Sequence, residues 1–184
     1  MILLRHGQSE FNLLFGETRR DPGLVDPCLT ELGHAQARDA AGALADEGIE
    51  RIIVSPYTRA LQTAAPVARA LGVPVTIDPI VRERFAFACD IGSPCADLQR
   101  NWPHHDFSLI DDVWWPREEE PEALVIDRAA RFRSSIAALD GWRATLVISH
   151  WGFILSMTGQ SVANGQWLRY DPTTPAPQGL VWRA

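Results

Sequence analysis

Lysine is absent from this sequence, and all 17 of its basic residues are arginine. Without lysine the chain cannot form a Schiff base on a lysine amine, and it cannot use a P-loop lysine to hold nucleotide phosphates. Both classes of chemistry are therefore excluded. The simpler explanation of the absence itself is a GC-rich coding genome.

Cysteine and long apolar runs are also scarce. The three cysteines, Cys28, Cys89 and Cys95, form no C-x-x-C pair, so we expect reduced thiols that act as buried fillers. The opening run Ile2–Leu4 is too short for a signal peptide, and no run approaches transmembrane length. We therefore expect a cytoplasmic protein that has no membrane partner.

Excess positive charge is missing as well. The formal net charge is −6, which argues against a nucleic-acid partner. What remains is an ordinary composition, with 46% hydrophobic and 22% charged residues in 184 residues. These values predict one globular domain spanning residues 1–184.

Short apolar runs alternate with amphipathic helices along the chain. Predicted strands are 2–4, 51–54, 75–77 and 144–149, with weaker ones at 166–170 and 179–182. Predicted helices run from Thr30 to about Glu47, from Ser55-Pro56 to Leu71, from near Glu118 to Leu139, and from Phe153 to Met157. This alternation predicts an α/β fold, a three-layer α/β/α sandwich with a mostly parallel central sheet.

Residues 79–121 have poor periodicity and are rich in proline and tryptophan. A long irregular segment within a compact domain is typical of a lid or a binding loop. We therefore expect residues 93–115 to lie over the mouth of a pocket. The alternative is a packed excursion that has no contact with substrate.

Basic side chains follow three of the predicted strands. Arg5 and His6 follow the first strand, Arg59 falls in the helix after the second, and His150 follows the strongest strand. Because parallel strands end at a common sheet edge, these groups should meet where helix N-termini add donors for an anion. Arginine suits phosphate because its planar fork donates two parallel hydrogen bonds.

Four sequence blocks together resemble the histidine phosphatase superfamily, in its phosphoglycerate mutase-like branch. They are Arg5-His6-Gly7 with Ser9 and Asn12, Leu29-Thr30-x-x-Gly33-x-x-Gln36-Ala37, Ser55-Pro56-x-x-Arg59-Ala60-x-x-Thr63-Ala64, and Ser149-His150-x-Gly152. Each block alone is weak evidence, but four in the family's order, spanning nearly the whole chain, are highly specific.

The resemblance implies hydrolysis of a small-molecule phosphomonoester in two steps. His6 would be the nucleophile, and water would hydrolyse the phosphohistidine. Arg5, Arg59 and His150 would hold the phosphoryl oxygens, with no metal or other cofactor. The residues predicted to contact the substrate are Gly7, Ser9, Asn12 and Trp151.

The resemblance also implies that a glutamate after the third strand protonates the leaving alkoxide, and Glu83 occupies that place. A surface salt bridge to Arg82 or Arg84 is its alternative role. Asp21, Asp26 and Asp90 are lesser candidates for the acid.

Two alternative functions stay open: mutase-type phosphoryl transfer, and non-catalytic anion binding on the same fold. The tryptophan-rich part of residues 79–121 is also a candidate homodimer interface.

Overall fold

A five-stranded sheet forms the centre of the computed structural model, which describes residues 1–108 and 110–182. The strands are β1 (Ile2–Arg5), β2 (Arg51–Val54), β3 (Val75–Ile77), β4 (Thr145–Ser149) and β5 (Trp167–Arg169). Their order across the sheet is β3-β2-β4-β1-β5. The first four are parallel and β5 pairs antiparallel with β1, so the predicted mostly parallel sheet is confirmed.

Helices cover both faces of the sheet. They are α1 (Glu10–Thr18), α2 (Glu31–Ala43), α3 (Thr58–Leu71), α4 (Cys95–Asn101), α5 (Glu122–Ala137) and α6 (Trp151–Thr158). Side chains alternate along a strand, so Leu4 and Ile148 pack towards α2 and α3 while Leu3 and Val147 pack towards α5 and α6. The predicted three-layer sandwich is confirmed. Among the described helices, none is long and apolar enough to cross a membrane.

One predicted strand is wrong. Residues 166–170 contain β5, but residues 179–182 form no strand. Gly179 has a φ of 64°, a left-handed conformation that does not continue an extended chain. The ring of Trp182 packs against Trp151 instead of joining the sheet.

Three helix starts differ from the predicted positions, and one of them is α6, which begins at Trp151 rather than at Phe153. Helix α3 begins at Thr58 because Asp26, distant in sequence, accepts hydrogen bonds from the Thr58 backbone N–H and hydroxyl. Ser55, predicted as the cap, binds His150 instead. Helix α5 begins at Glu122 because its N-cap is Pro121, and proline disfavours helical backbone in the residue before it, Glu120.

The end of α2 is also earlier than predicted. The helix stops at Ala43, four residues before the predicted end at Glu47. The following backbone hydrogen bonds tighten to three-residue spacing, from Ala45 to Gly42 and from Glu47 to Leu44. Leu44 is fully buried in this turn, which directs the chain towards β2.

The described residues of the stretch 93–115 pack onto the core rather than over a pocket. Leu98, Phe107 and Trp114 are buried, and the Trp114 ring lies 4.6 Å from the Tyr57 ring between centroids. The position over a pocket mouth expected for this stretch is therefore wrong for its described residues. The packed excursion describes it better.

Candidate active site

A cavity of about 590 Å³ lies at the carboxyl edge of the parallel strands. The end of β1, the first turn of α3, the segment after β3 and the start of α6 all contribute to it. We call Arg5, His6, Arg59 and His150 the basic floor, and residues 83–90 the wall segment. Described residues 91–121 do not line the cavity.

Close contacts bring the four sequence blocks together, and Ser149 of the last block accepts a hydrogen bond from the His6 N–H. A Cβ on Gly7 would lie 2.4 Å from the Gly33 carbonyl oxygen, and one on Gly33 would lie 2.1 Å from the oxygen of Gln8. The two glycines therefore allow the two backbone segments to approach each other closely. This close approach, rather than a tight turn, is what requires glycine at these positions. Thr63 accepts a hydrogen bond from the Gly7 N–H, and Gln36 accepts one from Gln8.

His6 is buried in the basic floor and lines the cavity. Its Nδ1 lies 2.6 Å from the Gly7 carbonyl oxygen, which can only accept, so Nδ1 carries the proton. Nε2 is then the unprotonated nitrogen. Burial, followed by the charges of Arg59 and Arg5, lowers the pKa of His6 well below 6.5, so the ring is neutral at neutral pH.

His150 lies behind His6, with 5.0 Å between the ring centroids. It is completely buried and is not among the residues that line the cavity. Its Nε2 lies 2.8 Å from the Ser55 hydroxyl, whereas its Nδ1 has no hydrogen-bond partner among the described residues. Burial and the charge of Arg59 lower its pKa well below 6.5 as well.

One nitrogen of the Arg5 guanidinium donates a hydrogen bond to the protein, and another has no partner among the described residues. Its Nη1 donates to the Val162 carbonyl at 2.8 Å, while its buried Nε lacks a partner in the described chain. Burial lowers the pKa of Arg5 to about 10, against the opposing charge of Glu83, so the guanidinium stays charged at neutral pH. A buried, charged donor without a partner favours binding of an anion.

Arg59 is fixed by Asp90 and by backbone. It donates to the Cys89 carbonyl at 2.8 Å and to the Asp90 carboxylate at 3.2 Å, and both side chains of the ion pair are 3% exposed. The other Asp90 oxygen accepts from the backbone N–H groups of Ala86 and Phe87. Burial raises the pKa of Asp90 to about 6, although Arg59 opposes the rise.

Glu83 lies at the N-terminus of α6. Both carboxylate oxygens accept from the Gly152 N–H, at 3.0 and 3.1 Å, and one also accepts from the Arg84 N–H. A Cβ on Gly152 would lie 2.5 Å from this carboxylate, so only glycine leaves room for it. The alternative surface salt bridge is not formed, because Arg82 pairs with Glu120 and Arg84 pairs with Glu119.

Ser9, Asn12 and Trp151 all line the cavity. Ser9 caps α1, and the Asn12 oxygen accepts from the Ser9 N–H and from the Asn164 amide, so its NH₂ group is the part that can donate to a ligand. The Trp151 indole donates to the Ser161 hydroxyl at 2.9 Å. Gly7 lies beside His6 and contributes the carbonyl that fixes the tautomer.

The lesser acid candidates are distributed differently. Asp90 lines the cavity, but Asp26 caps α3 and accepts from Ser93, and Asp21 accepts from Gly23 and Ala88. Both have structural roles away from the cavity. In residues 1–108 and 110–182, no group of three His, Cys, Asp or Glu side chains could hold a metal ion. The buried-filler interpretation is wrong for Cys28, which is exposed.

Two important residues carried no sequence signal that identified them. Asn164 donates to the carbonyls of His6 and Gly7, and only its position before Gly165 marked a turn. Arg128 on α5 donates to the carbonyls of Ile80, Arg82 and Glu83. The sequence did not indicate this role of Arg128, because a lone arginine within a helix is usually solvated.

The family comparison matches this geometry. The chain matches the model of the histidine phosphatase superfamily (branch 1) over residues 1–174. It is 36% identical to bifunctional protein Rv2228c of Mycobacterium tuberculosis over 82% of this chain, and it spans only 40% of that protein's length.

Two further relatives cover more of their own length. Glucosyl-3-phosphoglycerate phosphatase of Mycolicibacterium vanbaalenii is 30% identical, over 86% of this chain and 72% of that protein. The solved structure of mycobacterial glucosyl-3-phosphoglycerate phosphatase Rv2419c with VO3 has a TM-score of 0.62 at 24% identity, and the match covers 91% of this chain and 88% of that one. At that identity the structural similarity supports the fold alone.

Proposed function

The chain belongs to branch 1 of the histidine phosphatase superfamily, and from that membership we propose that it hydrolyses a small-molecule phosphomonoester through a phosphohistidine on His6. The observation that carries the proposal is the tautomer of His6. With Nδ1–H donated to the Gly7 carbonyl, Nε2 presents its lone pair in the field of Arg59, which is buried, and Arg5, which is partly buried. A neutral, oriented imidazole is what attack on phosphorus requires.

The basic floor would bind the transferred phosphoryl group. The unsatisfied Arg5 Nε is a donor for its oxygens, and Arg59 supplies a second fixed positive charge. His150, which lies behind His6, would support the ring of the nucleophile. These groups are already in place, so little reorganisation accompanies the charge that develops in the transition state. Asn12 and the backbone next to Gly7 and Ser9 would complete the binding of oxygens, and Trp151 would contact the alcohol portion.

The reaction would proceed in two displacements. His6 Nε2 attacks phosphorus, the phosphorus–oxygen bond to the alcohol breaks, and Glu83 gives its proton to the departing oxygen. Water then attacks phosphorus, the phosphorus–nitrogen bond to His6 Nε2 breaks, and ionised Glu83 takes the proton from that water. Inorganic phosphate leaves and both residues return to their starting states.

The mutase alternative receives less support. A mutase must retain a bisphosphate intermediate and keep water from the phosphohistidine. Here residues 93–115, which could have enclosed the cavity, pack on the core instead. Relatives of both kinds occur, one a phosphatase by name and another a probable phosphoglycerate mutase, so their names favour neither reaction. Conversion of 3-phosphoglycerate to its 2-isomer without release of phosphate would establish the mutase.

The nucleophile is tested with His6→Asn. We expect wild-type protein to hydrolyse p-nitrophenyl phosphate and to yield an acid-labile phosphohistidine after rapid quench, and we expect the variant to do neither. His34→Asn is the matched control because His34 is exposed on α2. Equal rates for the wild type and His6→Asn would refute the enzyme and favour a non-catalytic anion-binding protein.

The acid is tested with Glu83→Gln, which keeps an oxygen for the Gly152 N–H. Loss of a general acid should slow benzyl phosphate by about 10²-fold or more. It should slow p-nitrophenyl phosphate far less, because p-nitrophenolate leaves without a proton. The same selective effect in Asp90→Asn but not in Glu83→Gln would reassign the acid to Asp90.

We also propose a cytoplasmic location, with a phosphorylated small molecule and no nucleic acid as the partner. The formal net charge is negative, and the composition has no excess of basic residues. Both observations support the proposal that nucleic acid is not a partner. A homodimer stays a prediction, and sedimentation equilibrium tests it. Trp114, part of the candidate interface, is buried against Tyr57 within one chain.

A further inference from the structure

The cavity extends well beyond the space that one phosphoryl group needs. Its volume of about 590 Å³ is in the range of sites that enclose a whole small molecule. Above the basic floor, its walls carry five aromatic side chains among polar and small ones. We call Phe11, Phe15 and Phe87 the phenylalanine face, and Trp151 and Trp182 the tryptophan face.

The phenylalanine face is an ordered cluster. Phe11 and Phe15 are one helical turn apart on α1, and their rings stack with centroids 5.2 Å apart and planes 15° apart. Phe87 lies 5.4 Å from Phe11 and 5.2 Å from Phe15. Although it packs on both rings, Phe87 remains 39% exposed and lines the cavity, so it presents apolar surface to any occupant.

The indole N–H of Trp151, in the tryptophan face, is already hydrogen-bonded. The Trp151 and Trp182 rings meet nearly edge-on, with centroids 6.0 Å apart and planes 79° apart. The Trp151 Nε1–H is donated to Ser161, so the ring presents its apolar and π surface rather than a free donor.

The charged side chains near the rim of the cavity interact with other groups of the protein. Arg84 lines the cavity, but it pairs with Glu119 at 2.7 Å, donates to the Glu120 carbonyl at 2.9 Å and lies over the Trp182 ring at 5.6 Å. The Arg19 guanidinium lies over the Phe15 ring at 4.9 Å. A second anionic group on the substrate would compete with Glu119 for Arg84 and would meet aromatic surface.

From these contacts we infer that the alcohol portion of the substrate is an uncharged, planar ring group that packs against the phenylalanine and tryptophan faces. The inference rests on the proposed phosphatase activity for its biological meaning. It excludes, as preferred substrates, small polyhydroxy or carboxylated alcohols, which gain little from aromatic surface and lose water on entering it.

The test compares esters whose alcohols differ in the ring. We expect kcat/KM for benzyl phosphate and 2-naphthylmethyl phosphate to exceed that for glycerol 3-phosphate and 3-phosphoglycerate by about 30-fold or more, as roughly 2 kcal/mol of aromatic contact would give. Phe87→Ala and Trp182→Ala should each reduce this selectivity ratio by about tenfold. Leu32→Ala, an exposed apolar position on α2, should leave the ratio unchanged.

Equal or faster turnover of glycerol 3-phosphate or 3-phosphoglycerate would overturn the inference while leaving the phosphatase intact. So would a selectivity ratio that both alanine variants leave unchanged. If the wild type hydrolyses no ester faster than His6→Asn does, the proposed function fails. Calorimetric binding of benzylphosphonate against methylphosphonate then decides the inference without turnover, and equal affinity would refute it.

Discussion

The basic floor and the wall segment form one cavity but are held in place by different means. Arg5 ends β1, which pairs residue by residue with β4, and the backbone N–H of His6 donates to Ser149. The floor is therefore positioned by the parallel sheet. The wall segment has no such ladder, because between Phe85 and Asp90 its backbone N–H groups bond mainly to carboxylates and to its own short turn.

Hydrogen bonds from side chains therefore position the wall segment, whereas strand pairing positions the floor. Arg128 binds the carbonyls of Ile80, Arg82 and Glu83, and Asp90 binds the N–H groups of Ala86 and Phe87. Each of these anchors is a buried charge, so losing one should displace several backbone groups at once. The floor should instead tolerate a change of side chain without moving.

Arg128→Met should have the largest effect. It leaves Glu120 as a buried carboxylate with one partner fewer, and it frees three carbonyls at the start of the wall segment and just before it, so the free energy of unfolding should fall by about 3–5 kcal/mol. Urea denaturation measures this. Arg131→Met, at an exposed position on the same helix, is the control. A loss below about 1 kcal/mol would show that the wall does not depend on this anchor.

Arg5→Met should separate function from stability in the floor. We expect kcat/KM to fall by about 10²–10³-fold, since one preorganised donor to the phosphoryl oxygens is lost. The unfolding free energy should change less than in Arg128→Met, because the sheet still positions the backbone. Arg100→Met, exposed on α4, should change neither quantity. If Arg5→Met destabilises the fold as much as Arg128→Met does, the contrast between floor and wall is wrong.

Gly33→Ala tests the backbone contact beneath the floor. The added Cβ would lie 2.1 Å from the Gln8 carbonyl oxygen, a backbone atom that cannot rotate away, so we expect about 1–3 kcal/mol of destabilisation. Gly42→Ala in the same helix meets no atom within 4 Å and should be neutral or stabilising. Thermal unfolding of both variants measures the difference. Equal effects would mean that the approach of Gly33 to Gln8 is not needed.

The smallest expected effect is a pH dependence from the floor histidines. His6 and His150 have folded-state pKa values well below 6.5, so the unfolded chain binds their protons first as pH falls. The histidines therefore leave the free energy of unfolding unchanged above about pH 6.5. Below that pH it decreases by about 1.4 kcal/mol per pH unit for each histidine. Below pH 6, protonation of Asp90, whose folded pKa is raised to about 6, acts in the opposite direction.

His150→Asn should remove the contribution of one histidine to this dependence of the unfolding free energy on pH. Urea titrations between pH 7.5 and 5.5 on the wild type and the variant give the difference, expected to be about 1.4 kcal/mol per pH unit. The exposed control His34→Asn should keep the wild-type slope. If His150→Asn keeps it too, His150 is not held neutral in the folded protein.

Sequence reasoning was most successful where local chemistry decides the structure. The strands at 51–54 and 75–77 and the end of α3 before Gly72 were predicted correctly, because β-branched runs and a left-handed glycine act locally. The start of α3 was not, because its cap is Asp26, which only tertiary folding brings to Thr58.

By itself the sequence determined the sheet, its helical layers and the meeting of Arg5, His6 and Arg59 at one edge, since parallel strands must end together. Only the tertiary structure decided which nitrogen of His6 is free, that Glu83 accepts from the Gly152 N–H rather than forming a surface salt bridge, and that five aromatic side chains line the cavity. These features depend on contacts between residues far apart in the chain, such as Glu83 with Gly152 and Trp151 with Trp182, and no local pattern encodes them.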